Sequence, residues 1–261
     1  MSKSHMFDLT GKVAAVIGGA SGIGEAVTLG AVSMGATTVC LDVKAEAAAA
    51  TAAKAGGSTE SGAIDITDAA SVNSALDAIV ARHGQLDILI CTPSINVRKK
   101  ILDYQDEELQ RVLKVNITGN FNVLQAAGRI MVPQKRGSIV LFSSIRSLVV
   151  EPGQALYSAT KAGILQLARG AACEFGPSGV RVNCVGPGVV ETPLTAPIKA
   201  NPDWYNAYAS KNAFNRWAQP EEMVGPTLFL ASDAASYVNG TIIYADGGWL
   251  AQDGRFTPPG M

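Results

Sequence analysis

Seven short runs rich in aliphatic and β-branched residues recur along the chain, each separated from the next by a longer stretch, most of them with helical spacing. This alternation constrains the fold more than any other feature. The runs are KVAAVI (12–17), TTVCLD (37–42), SGAID (61–65), LDILIC (86–91), GSIVLF (137–142), VRVNCV (180–185) and TIIYAD (241–246). Helical spacing occupies 22–34, 45–54, 69–82, 106–132, 154–175 and 220–231. Several runs are apolar almost throughout, which suits strands covered on both faces. The pattern predicts an α/β fold: a doubly wound, open parallel sheet of about seven strands, with right-handed crossovers and helices on both faces. No linker rich in Pro, Ser or Gly divides the 261 residues, so one domain is expected over 1–261. The segment 46–55 is compositionally simple, but alanine favours helix, and a helix is expected there.

Bulk properties exclude several classes of function. The formal net charge is -1, which leaves no global field to recruit nucleic acid or an anionic membrane. No apolar run approaches the ~18 residues of a membrane-spanning helix. The opening MSKSHMFDLTGK lacks the apolar stretch of a secretory signal, so a cytoplasmic protein is expected. Cys40, Cys91, Cys173 and Cys184 show no metal-ligand spacing, and reduced, mostly buried thiols are expected. His5 and His83 are the only histidines, which argues against a zinc site or a Ser–His hydrolase; no metal is expected.

The first strand runs into IGGASGIG (17–24) and then a helix. Gly18, Gly22 and Gly24, with Ser21 and Ile23 between them, let backbone amides approach a pyrophosphate at a helix N-terminus. Asp42 ends the second strand, 18 residues past Gly24. A carboxylate there accepts hydrogen bonds from the ribose hydroxyls and repels a 2′-phosphate, so NAD is favoured over NADP, with nearby Lys44 the opposing feature.

Residues 157–161 read YSATK, placing Tyr157 and Lys161 one helical turn apart. A free phenol has a pKa near ~10, and bringing it to ~7 takes about 4 kcal/mol. An ammonium about 4 Å away supplies about that amount at an effective dielectric of ~20. With the glycine loop, this stretch resembles the short-chain dehydrogenase/reductase family, from about residue 8 to 250. The resemblance implies a Rossmann-type fold and hydride transfer between a secondary alcohol and a ketone, with Tyr157 as general acid/base. It places a catalytic set on Asn116 (in KVNITG), Ser144 (in FSSIRS), Tyr157 and Lys161, with the S-x12-Y-x3-K spacing intact and Asn116 holding a relay water. Ser143 is the rival to Ser144.

By the same resemblance, Asp65 and Ile66 (in IDITD) lie against the adenine. Pro187, Val190 and Thr192, in NCVGPGVVETP, hold the nicotinamide end. Two departures stand out. Ile17 replaces the usual threonine, predicting a looser turn. Cys91-Thr92-Pro93-Ser94 replaces Asn-Asn-Ala-Gly, with Cys91 expected to meet the cofactor through backbone. Family members are commonly homotetramers, with helices equivalent to 106–132 and 154–175 between subunits.

The irregular stretch 186–219 holds four prolines and two of the three tryptophans, and is expected to cover the substrate. Arg98, Arg146 and Gln154 are candidate substrate residues, because two guanidinium forks near a hydride site suit a carboxylate or phosphate. The stretch around NVRK resembles sugar-acid dehydrogenases such as gluconate 5-dehydrogenases. A 3-oxoacyl reductase or a steroid or alcohol dehydrogenase is the alternative, with Trp204, Tyr205 and Trp217 lining an apolar channel. A nucleotide-sensing regulator without catalysis is the second. The tail 250–261 has no assigned role.

Overall fold

In the computed structural model, residues 6–57 and 59–252 are described. Seven strands form one sheet: β1 (Val13–Ile17), β2 (Thr37–Asp42), β3 (Glu60–Ala63), β4 (Ile88–Cys91), β5 (Gly137–Phe142), β6 (Val180–Pro187) and β7 (Ile242–Ala245). Their order is β3-β2-β1-β4-β5-β6-β7, and every pairing is parallel. The helices between them are α1 (Gly22–Ser33), α2 (Ala45–Ala55), α3 (Ala69–His83), α4 (Asp106–Leu113), α5 (Asn120–Gln134), α6 (Ala155–Phe175), α7 (Ala196–Lys199), α8 (Pro202–Ala209) and α9 (Val224–Ala231).

Successive strand side chains point to opposite faces, so each inner strand feeds two cores. Ala15, Ile17, Leu89, Cys91, Ile139 and Leu141 pack with residues of α3, α5 and α6. Ala14, Val16, Ile88, Ile90, Val140 and Phe142 pack on the other side with α1 and α9. This two-sided burial is why β1 and β4 have no polar position.

Boundaries differ from expectation where side chains intervene. β3 ends at Ala63, because the Asp65 N–H turns to Ser71 Oγ (3.0 Å) and the Asp65 carboxylate accepts from the Thr67 N–H (2.8 Å). The helix expected over 106–132 is three pieces: α4, a π-helical turn over Lys114–Gly119, and α5. Asn116 occupies the π-turn, and its carboxamide reaches out of the helix. Its Oδ1 accepts from the Ile95 N–H (2.9 Å), and its Nδ2 donates to the Ile95 carbonyl (2.9 Å) and to Thr160 Oγ1 (3.1 Å). A wide turn of this kind recurs at functional positions. Here it fastens the segment after β4 to α6.

The turn after β1 is not loosened by Ile17. Ile17 is fully buried, and Thr92 restrains the turn from across the sheet. Thr92 N–H and Oγ1 both donate to the Ile17 carbonyl, at 3.0 Å each, while the Gly18 N–H donates to Leu41 O (2.8 Å). Thr92→Val keeps the shape and removes the hydroxyl. It is expected to lower stability by about 1 kcal/mol, seen as a melting-temperature drop of ~2–4 °C, and to raise the KM for the dinucleotide. An unchanged melting temperature and KM would show that the hydroxyl does not hold the loop.

Candidate active site

β1 pairs with β2 on one side and β4 on the other, and the strand order reverses there, so loops after β1 and β4 leave toward opposite faces. In doubly wound sheets this divergence opens a crevice beyond the strands' C-terminal ends. A cleft of about 780 Å³ lies at this place. Gly18, Ser21, Gly22, Ile23 and Gly24 line its floor, with Asp42, Asp65 and Ile66 at one end. Ser144, Tyr157, Lys161, Pro187, Val190 and Thr192 line the other end. Cys91 does not. It is buried in the core beneath the sheet, where burial pushes its thiol up to about 12, and Thr92, Pro93 and Ser94 line the cleft instead.

The glycine turn fits a dinucleotide. Gly18 and Gly22 have φ of +81° and +54°, in the left-handed region that side chains disfavour. A Cβ on Gly24 would lie 2.0 Å from the Gly18 carbonyl oxygen. Ser21 heads α1 but makes no side-chain cap, so the first-turn amides face the cleft uncapped, as anion binding requires. The Asp42 carboxylate accepts from the Ala20 N–H (3.2 Å) and the Lys44 N–H (3.0 Å), which holds it at the rim, where ribose hydroxyls would reach it. At the far end an isolated bridge links Val190 to Ala218 through the Ala218 N–H to Val189 O and the Glu191 N–H to Ala218 O. Neither bond uses the Val190 N–H.

Of the two serines after β5, Ser143 donates to the Lys161 carbonyl (2.8 Å) and is thereby committed to α6. Ser144 Oγ accepts the Arg146 N–H (3.1 Å), leaving its own O–H free to donate. Lys161 is buried, donates to the Phe142 carbonyl (2.8 Å), and lies 5.5 Å from the centre of the Tyr157 ring. Burial pushes its ammonium down to about 8.

The expected tuning of Tyr157 by an ammonium about 4 Å away is not what the chain alone provides. Burial pushes the Tyr157 phenol up to about 12, opposed by hydrogen bonding from Ser144 and Ser94 and by the charges of Arg98 and Arg146. Desolvation, which penalises the charged phenolate, outweighs these opposing contributions.

Arg98 and Arg146 do converge, but on Glu151. Arg98 Nη1 and Arg146 Nη2 each lie 2.8 Å from a Glu151 oxygen. Tyr208 of α8 and Gln154 donate to the same carboxylate, and Gln154 Oε1 accepts from Asn96. Burial alone would raise the Glu151 carboxyl, yet Tyr208, Arg98 and Arg146 hold it below the usual carboxylate range. The two cations and one anion leave a surplus of a single positive charge, and none of Arg98, Arg146 and Gln154 lines the cleft itself. Glu151 was missed from sequence, although it is the only carboxylate between Ser144 and Tyr157.

The stretch 186–219 carries α7 and α8 and a small core of its own. Trp217 is buried there, stacked on Tyr205 (centroids 5.1 Å apart) and donating to the Tyr205 carbonyl (2.9 Å). Trp204 lies against Arg98. None of these three residues lines the cleft, whereas Pro193, Leu194 and Thr195 do. The four cysteines are free, three of them buried. Among the described residues no helix is long and apolar enough to cross a membrane, and no cluster of metal-ligating side chains occurs. Most of the tail, residues 253–261, lies outside the described residues.

A phenol, a buried ammonium and a free serine hydroxyl in one crevice with a glycine turn mark an oxidoreductase that works with a dinucleotide. The chain belongs to the short-chain dehydrogenase/reductase family. The family model described as Enoyl-(Acyl carrier protein) reductase matches residues 18–250. A 3-oxoacyl-(acyl-carrier-protein) reductase of Thermotoga maritima is 35% identical over 92% of this chain and 98% of its own. The gluconate 5-dehydrogenase of Gluconobacter oxydans is 34% identical over 95% and 98%. A gluconate 5-dehydrogenase from Burkholderia cenocepacia, solved with NADP and tartrate, superposes with a TM-score of 0.91 at 30% identity, over 95% of this chain and 98% of that one.

With Lys161 at about 8 and Tyr157 at about 12, raising the pH discharges the ammonium before the phenol ionises. The near-ultraviolet tyrosinate difference between wild type and Tyr157→Phe is therefore expected to show no Tyr157 ionisation below pH ~10 in the protein alone, and a downward move when the oxidised dinucleotide is added. A Tyr157 signal at neutral pH without dinucleotide would contradict this ordering.

Proposed function

We propose that the protein is an NAD(H)-dependent dehydrogenase of a polar secondary alcohol, with a sugar acid or polyol as its substrate class. The observation that carries the reading is the shared cleft. Ser144, Tyr157 and Lys161 line the same crevice as the glycine turn and Asp42.

Gly18–Gly24 and the amides of α1 would hold the pyrophosphate, Asp42 the adenosine ribose, and Pro187, Val190 and Thr192 the carboxamide end. When bound, the nicotinamide supplies or accepts the hydride, and in its oxidised form adds one positive charge to the cleft. Ser144 donates a hydrogen bond to the substrate oxygen. Tyr157 takes the hydroxyl proton in oxidation and returns it in reduction. Lys161 holds the Phe142 carbonyl and keeps a cation beside the ring. Asn116, whose carboxamide is engaged with Ile95 and Thr160, acts here as the clamp that sets the 92–95 segment against α6.

Two features favour a hydroxylated substrate over an acyl chain. Tyr205, Tyr208 and Trp217 are turned into their own core, and the side-chain cluster of Arg98, Arg146 and Glu151 is polar, with one cation in surplus. The gluconate 5-dehydrogenase relative and a D-threitol dehydrogenase of Mycolicibacterium smegmatis (36% identical) support the same class. The two arginines give less support to an anionic group than their sequence positions suggest, because Glu151 engages both. The same reading includes a cytoplasmic homotetramer joined through α4–α5 and α6, where Phe121 is an exposed apolar side chain.

Turnover should be measured across sugar acids, polyols, apolar secondary alcohols and 3-oxoacyl thioesters. The expected result is fastest oxidation of a sugar acid or polyol, a fall of at least ~10³-fold in kcat for Tyr157→Phe, and loss of any preference for acids in Arg98→Ala. Preference for the thioester would instead establish a 3-oxoacyl reductase. Absence of turnover on every class, with dinucleotide still bound, would establish a sensor.

Cofactor choice is tested separately. Asp42→Ser removes the carboxylate that faces the ribose, and is expected to shift the NAD-to-NADP ratio of kcat/KM toward NADP by ~10-fold or more. A wild-type preference for NADP would refute the assignment to Asp42.

A further inference from the structure

Ser94 stands where the family pattern has glycine, and its hydroxyl has no ordinary partner. Its Oγ is buried without a hydrogen bond, although a buried hydroxyl is nearly always satisfied in a folded protein. Ser94 lines the same cleft as Tyr157 and Ser144. Its backbone is not free to drift: Pro93 precedes it, and Ile95 after it is pinned at both N–H and C=O by Asn116. The hydroxyl is therefore presented by a stiff segment, with only its χ1 rotamer left to choose.

We infer that Ser94 is a second hydrogen-bond donor to the Tyr157 oxygen, one that holds the phenolate while the Ser144 hydroxyl is turned to the substrate oxygen. This rests on Tyr157 being the acid/base group of the reaction. Ser144 is free to donate because its oxygen already accepts from the Arg146 N–H, whereas Ser143 is bound to the Lys161 carbonyl. In the shared cleft, hydrogen bonding from the Ser94 hydroxyl, like that from Ser144, favours the ionised form of Tyr157. Ser94 gives up no proton. It is a positioning residue that stabilises the charge on Tyr157 when Tyr157 is the base.

The need for a second donor follows from the site's own electrostatics. Burial raises the phenol, and the hydrogen bonds and charges around it do not bring it back. A hydroxyl at position 94 adds stabilisation that acts on the phenolate more than on the phenol, because hydrogen bonds to a charged acceptor are the stronger ones.

The test compares wild type with Ser94→Ala, Ser94→Gly and Ser94→Thr. For alcohol oxidation, Ser94→Ala and Ser94→Gly are expected to move the acid limb of the kcat/KM profile upward by ~1 pH unit and to lower kcat/KM at neutral pH by ~10-fold, with the KM for dinucleotide unchanged. Ser94→Thr, which restores a hydroxyl, should recover most of the loss. A second readout does not depend on turnover. Isotope-edited NMR of tyrosine labelled at Cζ, with Tyr157 assigned through Tyr157→Phe, follows the ionisation of that phenol in each variant with and without NAD. An upward displacement in Ser94→Ala supports the inference; superimposable titrations overturn it. If no alcohol is turned over by wild type, the functional reading fails while the NMR titration still decides the role of Ser94.

Discussion

The reversal of strand order at β1 governs where everything else can lie. A parallel strand is followed by a crossover, and crossovers to β2 and to β4 leave on opposite faces of the sheet. The chain must therefore part beyond Ile17 and Cys91, and the gap becomes the cleft. What keeps its two lips in register is a small number of polar contacts. Thr92 bonds back to the Ile17 carbonyl across the reversal, and Asn116 grips Ile95 at both of its backbone groups while touching Thr160 on α6. The glycine turn, the segment after β4 and the helix bearing Tyr157 are thereby one assembly.

Within that assembly, burial sets the chemistry. Desolvation opposes charge on both Tyr157 and Lys161, raising one to about 12 and lowering the other to about 8. Hydrogen bonding from Ser144 and Ser94 and the charges of Arg98 and Arg146 oppose the rise at Tyr157 without cancelling it. The same economy of charge appears at the outer cluster, where Glu151 takes up both Arg98 and Arg146 and leaves one net cation. Tyr208 joins that cluster from α8, so the stretch 186–219 is tied to the loop that carries Glu151.

Much of this was legible in the chain because it depends on neighbours in sequence. Two-sided burial forces an apolar run, so all seven strands were placed within a few residues. The glycine turn declares itself because only glycine tolerates φ of +81° at Gly18 and the 2.0 Å approach at Gly24. The spacing of Ser144, Tyr157 and Lys161 survives as spacing because strand end and helix are rigid.

What stayed hidden is set by partners far apart in the chain. A π-turn at Asn116 follows from bonds to Ile95 and Thr160, and no local pattern in KVNITG announces them. That Cys91 faces the core while Thr92 to Ser94 face the cleft depends on how β4 ends. Tyr205 and Trp217 could have lined a channel or packed together, and their mutual stacking decides for packing. Sequence alone thus determined the sheet and the glycine turn, since these rest on periodicity and local backbone freedom, while the candidate reacting side chains came from the family resemblance. Only the tertiary structure decided the charge each group carries and which face it serves, because desolvation and pairing belong to surroundings assembled from the whole chain.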